Sequence, residues 1–435
     1  MSPRLPRRQA ERRGLRLWPV GIVLVLAFTV AVLVAAAVFY AGWDLLGAHE
    51  LKPERSIDSK TLFDLVKLAF GVVAGAGALV ALVVAYRRQR VDEDGALRDA
   101  TRLHTERFTT AVSQLGDESA AVRLGGVHAL AGLADDAPTR ELRQTCIDVL
   151  CAYLRLPYTA NADLPANDAE ARHTYLALRE VRHTVIRLIR DHLRLPLRHR
   201  HSWQGHDFDF TGVMFDGRVD FIRAVFSGGR VSFSGAVFPG GTVHFGEAVF
   251  SGSTVSFNGA SFSGGTVLFG EAIFSGSTVD FSRAEFSSGT VYFNGASFSG
   301  STVLFSQTEF SGSTVSFNGA SFSDGRVDFI RAEFSGGRVG FSGAEFSGGT
   351  VYFGEASFSG STVYFNGAEF PGGTVYFSQA EFSSGTVYFG RAEFSGGTVD
   401  FREATGVAPR GLIPAARSPL PDGLILATAW QPTGP

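Results

Sequence analysis

The chain is poor in the residues that would give a disulfide-stapled, metal-bound or strongly charged protein. It has only two cysteines in 435 residues, Cys146 and Cys151, which rules against a disulfide framework or a cysteine-rich zinc site. The formal charge is -3 at pH 7, so the balance of charge gives no reason to expect a nucleic-acid partner. The sequence contains no nucleophile–base pair, phosphate loop or metal-ligating cluster. It therefore predicts a protein that is not an enzyme and has no catalytic, cofactor-binding or metal-binding residues.

Three histidines stand close together at His199, His201 and His206. A metal site needs three or four ligands and a set of hydrogen-bonding partners around them. The neighbours here are mainly arginines, and no acid or cysteine occurs before Asp207. We interpret this segment as a solvated basic linker rather than a metal site.

Long uncharged runs are present near the N-terminus. Residues 18–40 and 68–86 carry no Asp, Glu, Lys or Arg, and each run is long enough to span a bilayer as a helix. Small residues in the second run, such as Gly71 and Gly75, would let two helices approach closely in lipid. We therefore predict two transmembrane helices, 18–40 and 62–86, within residues 17–86. A signal peptide is the alternative for the first run, but the run is longer than a signal core and a second span follows it.

The distribution of arginine predicts the orientation of these spans. Six arginines lie in the basic N-terminus, residues 1–16, and three follow the second span within residues 87–90. Positive residues stay on the cytoplasmic side, so both termini are predicted to be cytoplasmic and the short loop external. The prediction is a multi-pass protein of the cell (inner) membrane, with the bilayer as its first partner.

Residues 87–200 are predicted to form a cytoplasmic helical region. Apolar residues recur there at helical spacing in four segments, Leu97–Leu115, Ala120–Ala134, Arg140–Leu156 and Glu170–Leu195. We expect this small all-α module to stand between the membrane and the next region, and to cover its first coil.

A strict repeat occupies more than a third of the chain. The phrase V-x-F-x-x-A-x-F-S-G-G-T recurs every 12 residues from Val219 to Phe401. Valine and the first phenylalanine each fill all sixteen of their positions, and Thr308 is the single exception in the alanine column. A period this regular indicates a solenoid rather than a globular domain.

The repeat divides into two five-residue units, A-x-F-S-G and V-x-F-x-x, with Gly-Thr between them. This pattern resembles the pentapeptide-repeat family. The helical region resembles the one that precedes such repeats in actinobacterial membrane-anchored members, notably over residues 107–134 and 149–153. The resemblance implies a right-handed quadrilateral β-helix over residues 207–404 with one unit on each side.

The spacing between phenylalanines alternates between five and seven, so four sides of the coil take two repeats. One coil therefore has about 24 residues, a period typical of solenoids. The sixteen repeats make about eight such coils. A coil made of a single repeat is the rival geometry, and its lumen would be too narrow for the apolar side chains.

The solenoid reading divides the repeat positions into core and surface. The central phenylalanines are predicted to point inward and stack from coil to coil; the representative core residues are Phe221, Phe226, Phe233, Phe305, Phe310 and Phe389. The Gly-Thr inserts are expected to form corners in which glycine adopts φ > 0.

The variable position between valine and phenylalanine points outward and becomes tyrosine in the later repeats. The candidate interaction surface consists of Tyr352, Tyr364, Tyr376 and Tyr388 together with Glu345, Glu369 and Glu381. A coil of two repeats places Tyr352 and Tyr376 on one face and Tyr364 and Tyr388 on the opposite one. Tyrosine is enriched at interfaces, but it also simply suits an exposed strand, and the sequence leaves both interpretations open.

These features predict a non-catalytic, membrane-anchored scaffold whose cytoplasmic solenoid presents a surface to a protein partner. The alternative is an acidic rod that mimics DNA and acts on a DNA-binding enzyme such as gyrase, as some members of the family it resembles do. Residues 219–401 carry fifteen acidic residues and seven arginines, which is a weak charge excess for such a mimic. The proline-rich tail, residues 405–435, is expected to fold over the last coil. The identity of the partner and any homo-oligomerisation stay open.

Overall fold

The computed structural model describes residues 58–431 apart from 166 and 414–419, together with scattered positions between 25 and 44. The chain divides into two compact units, Met1–Thr101 and Arg102–Pro435.

The first long helix, α1, comprises Ser59–Leu115. Its part Val66–Leu115 is the one helix in the described part of the chain that is long and apolar enough to cross a membrane, and its most apolar window is not buried in the protein. The predicted second span, 62–86, falls inside α1. The predicted first span, 18–40, and the external loop lie largely outside the described residues, so the two-helix hairpin stays a prediction.

The helix predicted separately at Leu97–Leu115 is the C-terminal end of α1, so its predicted start was wrong. The polar segment between residues 87 and 96 contains only one glycine and no proline, so nothing in it breaks the helix. Pairs at helical spacing, such as Arg102 and Glu106 with 3.0 Å between Nε and Oε1, support the exposed turns that follow.

Three further helices follow: α2 (Ala120–Asp135), α3 (Arg140–Arg155) and α4 (Ala169–Arg194). Each begins and ends within one residue of its predicted position. The side chain of Thr139 accepts a hydrogen bond from the backbone N–H of Leu142, and this bond caps the start of α3. Gly126 lets α2 pack tightly on the end of α1, because a Cβ there would lie 2.6 Å from the backbone N of Leu115.

The repeat region forms two sheets of short parallel strands with sixteen and thirteen members, which we call sheet 1 and sheet 2. Each sheet contains two ladders, so one coil of the chain crosses four ladders in turn. Four longer strands run through both ladders of their sheet: Ser297–Leu304 and Ser321–Asp328 in sheet 1, and Glu309–Ser316 and Glu333–Gly340 in sheet 2.

The remaining strands of sheet 1 belong to one ladder or the other. Its first ladder contains Phe208–Asp209, Arg230–Ser232, Thr254–Ser256, Thr278–Asp280, Thr350–Tyr352, Thr374–Tyr376, Thr398–Asp400 and Leu424–Ile425. Its second ladder contains Val225–Ser227, Val249–Ser251, Ile273–Ser275, Glu345–Phe346, Glu369–Phe370 and Glu393–Phe394.

Sheet 2 has the same organisation, displaced by half a coil. Its first ladder contains Arg218–Asp220, Thr242–His244, Thr266–Leu268, Thr290–Tyr292, Thr362–Tyr364 and Thr386–Tyr388. Its second ladder contains Ser261–Phe262, Glu285–Phe286, Ser357–Phe358, Glu381–Phe382 and Thr405–Gly406.

Strand register confirms the predicted coil of about 24 residues. Val231 pairs with Val255, and Phe226 pairs with Phe250, so each partner is the equivalent residue two repeats further on. The solenoid has about nine coils rather than about eight. The difference arises because strands extend beyond the regular repeats at both ends, from Phe208 to Ile425.

Phenylalanine rings fill the interior in two arrangements. The six representative residues Phe221, Phe226, Phe233, Phe305, Phe310 and Phe389 are at most 2% exposed. Rings one coil apart stack in parallel, as Phe257 and Phe281 do with 4.6 Å between centroids and 2° between planes. Rings half a coil apart, such as Phe257 and Phe269, meet edge to face at 5.8 Å and 87°. Both geometries are favourable for aromatic pairs.

Glycine adopts φ > 0 in most of the inserts, as the sequence predicted; Gly241, for example, has φ +78°. At this position a Cβ would lie 2.2 Å from the carbonyl oxygen of Gly217 in the previous coil. The inserts therefore need glycine for close approach of stacked coils as well as for backbone conformation.

The segment 196–206 is only in part the solvated linker that the sequence predicted: residues 196–200 are exposed, whereas Ser202, Trp203 and His206 are buried. Trp203 is completely buried, and its ring stacks on His192 with 4.1 Å between centroids. Its Nε1 donates to Oδ1 of Asp135 at 3.1 Å. A buried tryptophan with a paired N–H anchors this segment to the helices, and His206 is only 5% exposed beside them.

The described part of the C-terminal tail packs on the last coil. Leu424–Ile425 pairs with Thr398–Asp400 as one more parallel strand. The Trp430 ring contacts the rings of Phe382 and Phe401 at 5.6 and 5.7 Å, and its Nε1 donates to the carbonyl of Gly406. These contacts cover core rings that would otherwise face solvent.

Candidate interaction surface

The four tyrosines form two stacked pairs. Tyr352 and Tyr376 are register partners in sheet 1, with 5.5 Å between ring centroids and 17° between planes. Tyr364 and Tyr388 form the equivalent pair in sheet 2, at 5.3 Å and 9°. All four side chains are half-buried along the strands. The stacking arises because identical residues one coil apart occupy the same place on successive coils.

Arginine–aspartate pairs flank the tyrosine pair of sheet 1 on both sides. The guanidinium of Arg326 lies over the Tyr352 ring at 4.5 Å, and its Nη2 bonds Oδ2 of Asp328 at 2.6 Å. Beyond Tyr376 in the same ladder, Arg402 binds the carboxylate of Asp400. The hydrogen bond from Arg402 outweighs burial and lowers the pKa of Asp400. We call Arg326, Asp328, Tyr352, Tyr376, Asp400 and Arg402 the tyrosine strip.

The glutamates divide between the two sheets. Glu345 pairs in register with Glu369, and Glu369 with Glu393, so three exposed carboxylates follow one another in the second ladder of sheet 1. Glu381 lies in sheet 2, in register with Ser357 and Thr405. The structure therefore brings Glu345 and Glu369 together and separates Glu381 from them. Like charges in adjacent strands repel, and a cationic group placed against this column would relieve the repulsion.

Sequence reasoning missed a ladder of polar side chains at one corner of the coil. Each coil turns after its phenylalanine, as at Phe329, where Ala332 N–H bonds the Phe329 carbonyl and Arg331 has φ +58°. The equivalent residues of successive coils are Arg283, Gln307, Arg331, Glu355, Gln379 and Glu403. Arg331 Nε lies 2.8 Å from Oε2 of Glu355. These contacts satisfy the corner charges within the solenoid itself, so the corner offers fewer free carboxylates than composition indicates.

The helices hold the first coil through arginine contacts that the sequence did not reveal. Arg182 is 4% exposed, and it donates to the carbonyls of Leu154 at 2.6 Å and Met214 at 2.8 Å. Arg190 Nη1 donates to the Asp220 carboxylate at 2.6 Å. The helical module and the solenoid also share one continuous hydrophobic core. The module therefore caps the first coil, and the outer faces of the later coils are the surface available to partners.

The surroundings of both cysteines disfavour the reactive thiolate form. Both are buried, and burial raises the pKa of Cys146 and that of Cys151 to about 12. A thiol with so high a pKa stays protonated and is a poor nucleophile. Among the described residues, no group of three or more His, Cys, Asp or Glu side chains has the arrangement of a metal site.

Residues 210–260 and 341–386 match the family model described as pentapeptide repeats (9 copies). No curated protein and no solved structure is significantly similar to the chain. The two matched segments lie in the early and late coils of the same solenoid, on either side of the four longer strands.

Proposed function

Because this chain belongs to the pentapeptide-repeat family, whose members are generally structural or interaction proteins, we propose that it is a non-catalytic, membrane-anchored scaffold that presents a cytoplasmic solenoid surface. The repeat solenoid suggests a protein-interaction module. The anchor, its orientation and the partner belong to the proposal.

The observation that carries the proposal is the tyrosine strip beside the column of Glu345, Glu369 and Glu393 on sheet 1. Stacked tyrosines offer large contact area at a small entropy cost. The glutamate column adds negative charge on the same sheet, and Arg326 over Tyr352 illustrates how a guanidinium sits on this aromatic surface. The partner that fits is a protein segment carrying exposed arginine or lysine.

Two features support anchoring in the membrane. The helix Val66–Leu115 is long enough to cross a membrane, and its most apolar window is not buried in the protein. The uncharged run at 18–40 and the arginines within residues 1–16 fit a second span with cytoplasmic ends. Together they favour a multi-pass protein of the cell (inner) membrane with the solenoid on the cytoplasmic side.

Capture of partners from native membranes by crosslinking tests the scaffold proposal. Full-length protein is compared with a deletion of residues 207–404, and identical partner sets would contradict the proposal. The point variant Tyr352→Ser/Tyr376→Ser probes the strip, because Ser232 and Ser256 show that serine is native to this ladder position. The matched control is Tyr364→Ser/Tyr388→Ser, since Ser316 occupies the same position of the sheet 2 ladder. We expect the sheet 1 variant to lose at least one partner that the sheet 2 variant retains.

The glutamate column also favours a second candidate, the acidic mimic of DNA that would act on gyrase. Three adjacent carboxylates in sheet 1 are its best support. Corner arginines bonded to glutamates, such as Arg223 to Glu247 at 2.8 Å, weaken it by neutralising part of the charge. Purified protein that leaves gyrase supercoiling unchanged at micromolar concentration would eliminate this candidate, and inhibition that tracks Glu345→Gln/Glu369→Gln would favour it.

A further inference from the structure

A basic pocket lies where α4 meets the first strand of sheet 2, Arg218–Asp220. Its volume is about 410 Å³, within the range of small-molecule sites. The charged and polar residues that line it include Arg179, His183, Arg187, Arg190, Arg218 and Asp220. Four guanidinium groups thus converge on one cavity from two different structural elements, the helix and the solenoid.

The carboxylates of Asp220 and Asp191 are already paired with Arg190 and Arg194. Arg190 Nη1 lies 2.6 Å from Oδ2 of Asp220, and Arg194 Nη2 lies 3.8 Å from Oδ1 of the same carboxylate. Arg190 also contacts Asp191 at 2.8 Å. The one further acid in the lining is Glu180, which is exposed on the solvent side of α4.

Three lining arginines have no carboxylate to neutralise them. Within the described ranges, no salt bridge of 4.0 Å or less reaches Arg179, Arg187 or Arg218. Arg187 and Arg218 are exposed and Arg179 is half-buried, so their donors remain open to a ligand. The lining has four arginines against two acids, Glu180 and Asp220, and such an excess of positive groups at a concave surface attracts anions.

Contacts around Asp216 hold the chain just before Arg218, which lines the pocket. His183 Nε2 donates to the Asp216 carbonyl at 3.5 Å, and the Tyr175 hydroxyl donates to the Asp216 carboxylate at 2.9 Å. Gly217 follows with φ +84°, and Arg179 Nε lies 3.7 Å from where its Cβ would be. A Cβ at this distance would be in ordinary van der Waals contact with Arg179, so it is the positive φ that favours glycine at this position.

We propose that this pocket binds a phosphate-bearing ligand, with Arg179, Arg187 and Arg218 as its contacts. Guanidinium groups bind phosphate oxygens through paired N–H donors, and a cavity of this size admits a small phosphorylated molecule or a lipid headgroup but not a macromolecule. Because Arg218 belongs to the solenoid and the other two to α4, the ligand would bridge the helical module and the first coil.

Calorimetric titration of detergent-solubilised full-length protein tests the proposal. One arm uses inorganic pyrophosphate as the free phosphate probe. The other uses dihexanoyl phosphatidylglycerol below its micelle concentration, with dihexanoyl phosphatidylcholine as its zwitterionic counterpart. The variant is Arg218→Thr, because threonine occupies the register position one coil later, at Thr242. The matched control is Arg338→Thr, an exposed arginine at the same ladder position far from the pocket, whose register partners Thr314 and Thr362 are both threonine.

We expect one of the two probes to bind the parent protein. Its affinity should fall about tenfold or more in Arg218→Thr, because the charge-assisted hydrogen bonds of that guanidinium are lost outright. Its affinity should be unchanged in Arg338→Thr. Binding should also weaken with rising ionic strength. Pyrophosphate binding with this pattern identifies a soluble phosphate ligand. Phosphatidylglycerol binding with the same pattern identifies a lipid headgroup. If neither probe binds, or if Arg218→Thr and Arg338→Thr lose affinity for the probe equally, the proposal is overturned.

Discussion

Each core phenylalanine contacts rings in the neighbouring coils, so one side chain stabilises more than its own coil. Phe305 is completely buried, and its ring stacks on Phe281 at 4.9 Å and on Phe329 at 4.8 Å. It also meets Phe317 edge to face at 5.7 Å. Stacking one coil apart recurs along both columns of rings, and the edge-to-face contact recurs along the column that contains Phe305, so the interior is a continuous aromatic stack.

We predict that Phe305→Ala lowers the free energy of unfolding by about 3–5 kcal/mol, because the neighbouring rings are held by their own coils and cannot collapse into the cavity. Urea denaturation followed by circular dichroism measures the change. Phe394→Ala is the control, since its ring stacks on Phe370 on one side and is only half-buried. A melting temperature within a degree of the parent for Phe305→Ala would contradict the prediction.

At the scale of elements, the stability of the helical module depends on the protonation of two histidines whose pKa values shift in opposite directions. Burial, reinforced by Arg140 and Arg143, lowers the pKa of His206 to about 4. For His192, burial is the largest single effect and acts to lower the pKa, but the hydrogen bonds to the Asp135 carboxylate and the Leu188 carbonyl, with the charges of Asp135 and Asp191, together outweigh it and the pKa is raised. His192 and Trp203 both bond that carboxylate, so its charge organises the junction between α2, α4 and the segment after α4.

These shifts predict a stability maximum for the module near the ordinary histidine pKa of 6.5. Below it, the unfolded chain takes up a proton at His206 that the folded protein refuses until about pH 4, so stability falls as pH falls. Above it, the stabilisation from protonated His192 is lost as pH rises through its raised folded pKa.

Melting temperature measured against pH checks this prediction. His206→Gln keeps a donor for the Oε1 of Gln144, which accepts from His206 Nδ1 at 2.9 Å, and should make the acid-side decline shallower. Burial also lowers the pKa of His104 and His183, so part of the decline should persist. His192→Gln should flatten the alkaline side instead. Profiles identical to the parent in both variants would show that these residues do not control the module's stability.

The elements differ in how far their sequence determines them. The coil length follows from the alternating spacing of phenylalanines, because four sides take two repeats and a coil of one repeat is too narrow for its apolar side chains, and the register of Phe226 with Phe250 agrees. The corner ladder around Arg331 escaped prediction because its members differ in type and align only when the chain is compared at intervals of one full coil. The burial of Trp203 depends on Asp135, 68 residues earlier in the chain, which no local pattern reveals.

Across the whole molecule, the sequence repeat and the structural repeat differ by a factor of two. The same core side chains recur after one repeat of 12 residues, but the chain comes back to the same sheet only after two repeats. The pairing of Val291 with Val315 shows this. The two sheets therefore have interchangeable interiors and distinct exteriors. Sheet 1 carries the tyrosine strip and, in the same late coils, the column of Glu345, Glu369 and Glu393. Sheet 2 carries a glutamate column in earlier coils, Glu285, Glu309 and Glu333, and its tyrosine pair Tyr364 and Tyr388 shares the late coils with the single Glu381 between Ser357 and Thr405.

Deletions of a whole coil, half a coil and a quarter of a coil distinguish the folding of the solenoid from the placement of these two outer faces. Removing residues 291–314 excises one full coil and joins Thr290 to Val315. Removing residues 291–302 excises half a coil and joins Thr290 to Val303. Both junctions preserve the Thr-Val step and the spacing of core rings, so we expect both proteins to fold, with melting temperatures close to each other, as in repeat proteins stabilised by neighbouring units. Removing residues 291–296 puts Ser297 where Val291 was and should abolish cooperative folding.

The half-coil deletion moves every later residue to the other sheet relative to the helical module, so Tyr352 and Tyr376 exchange places with the Tyr364 and Tyr388 side. If a partner contacts the sheet 1 surface together with the helical module or the membrane anchor, its capture should survive the full-coil deletion and fail after the half-coil deletion. Circular dichroism and crosslinked capture, measured on the same three proteins, provide the comparison. Equal capture by the two folded deletions would show that the partner does not contact the helical module or the anchor together with the sheet 1 surface.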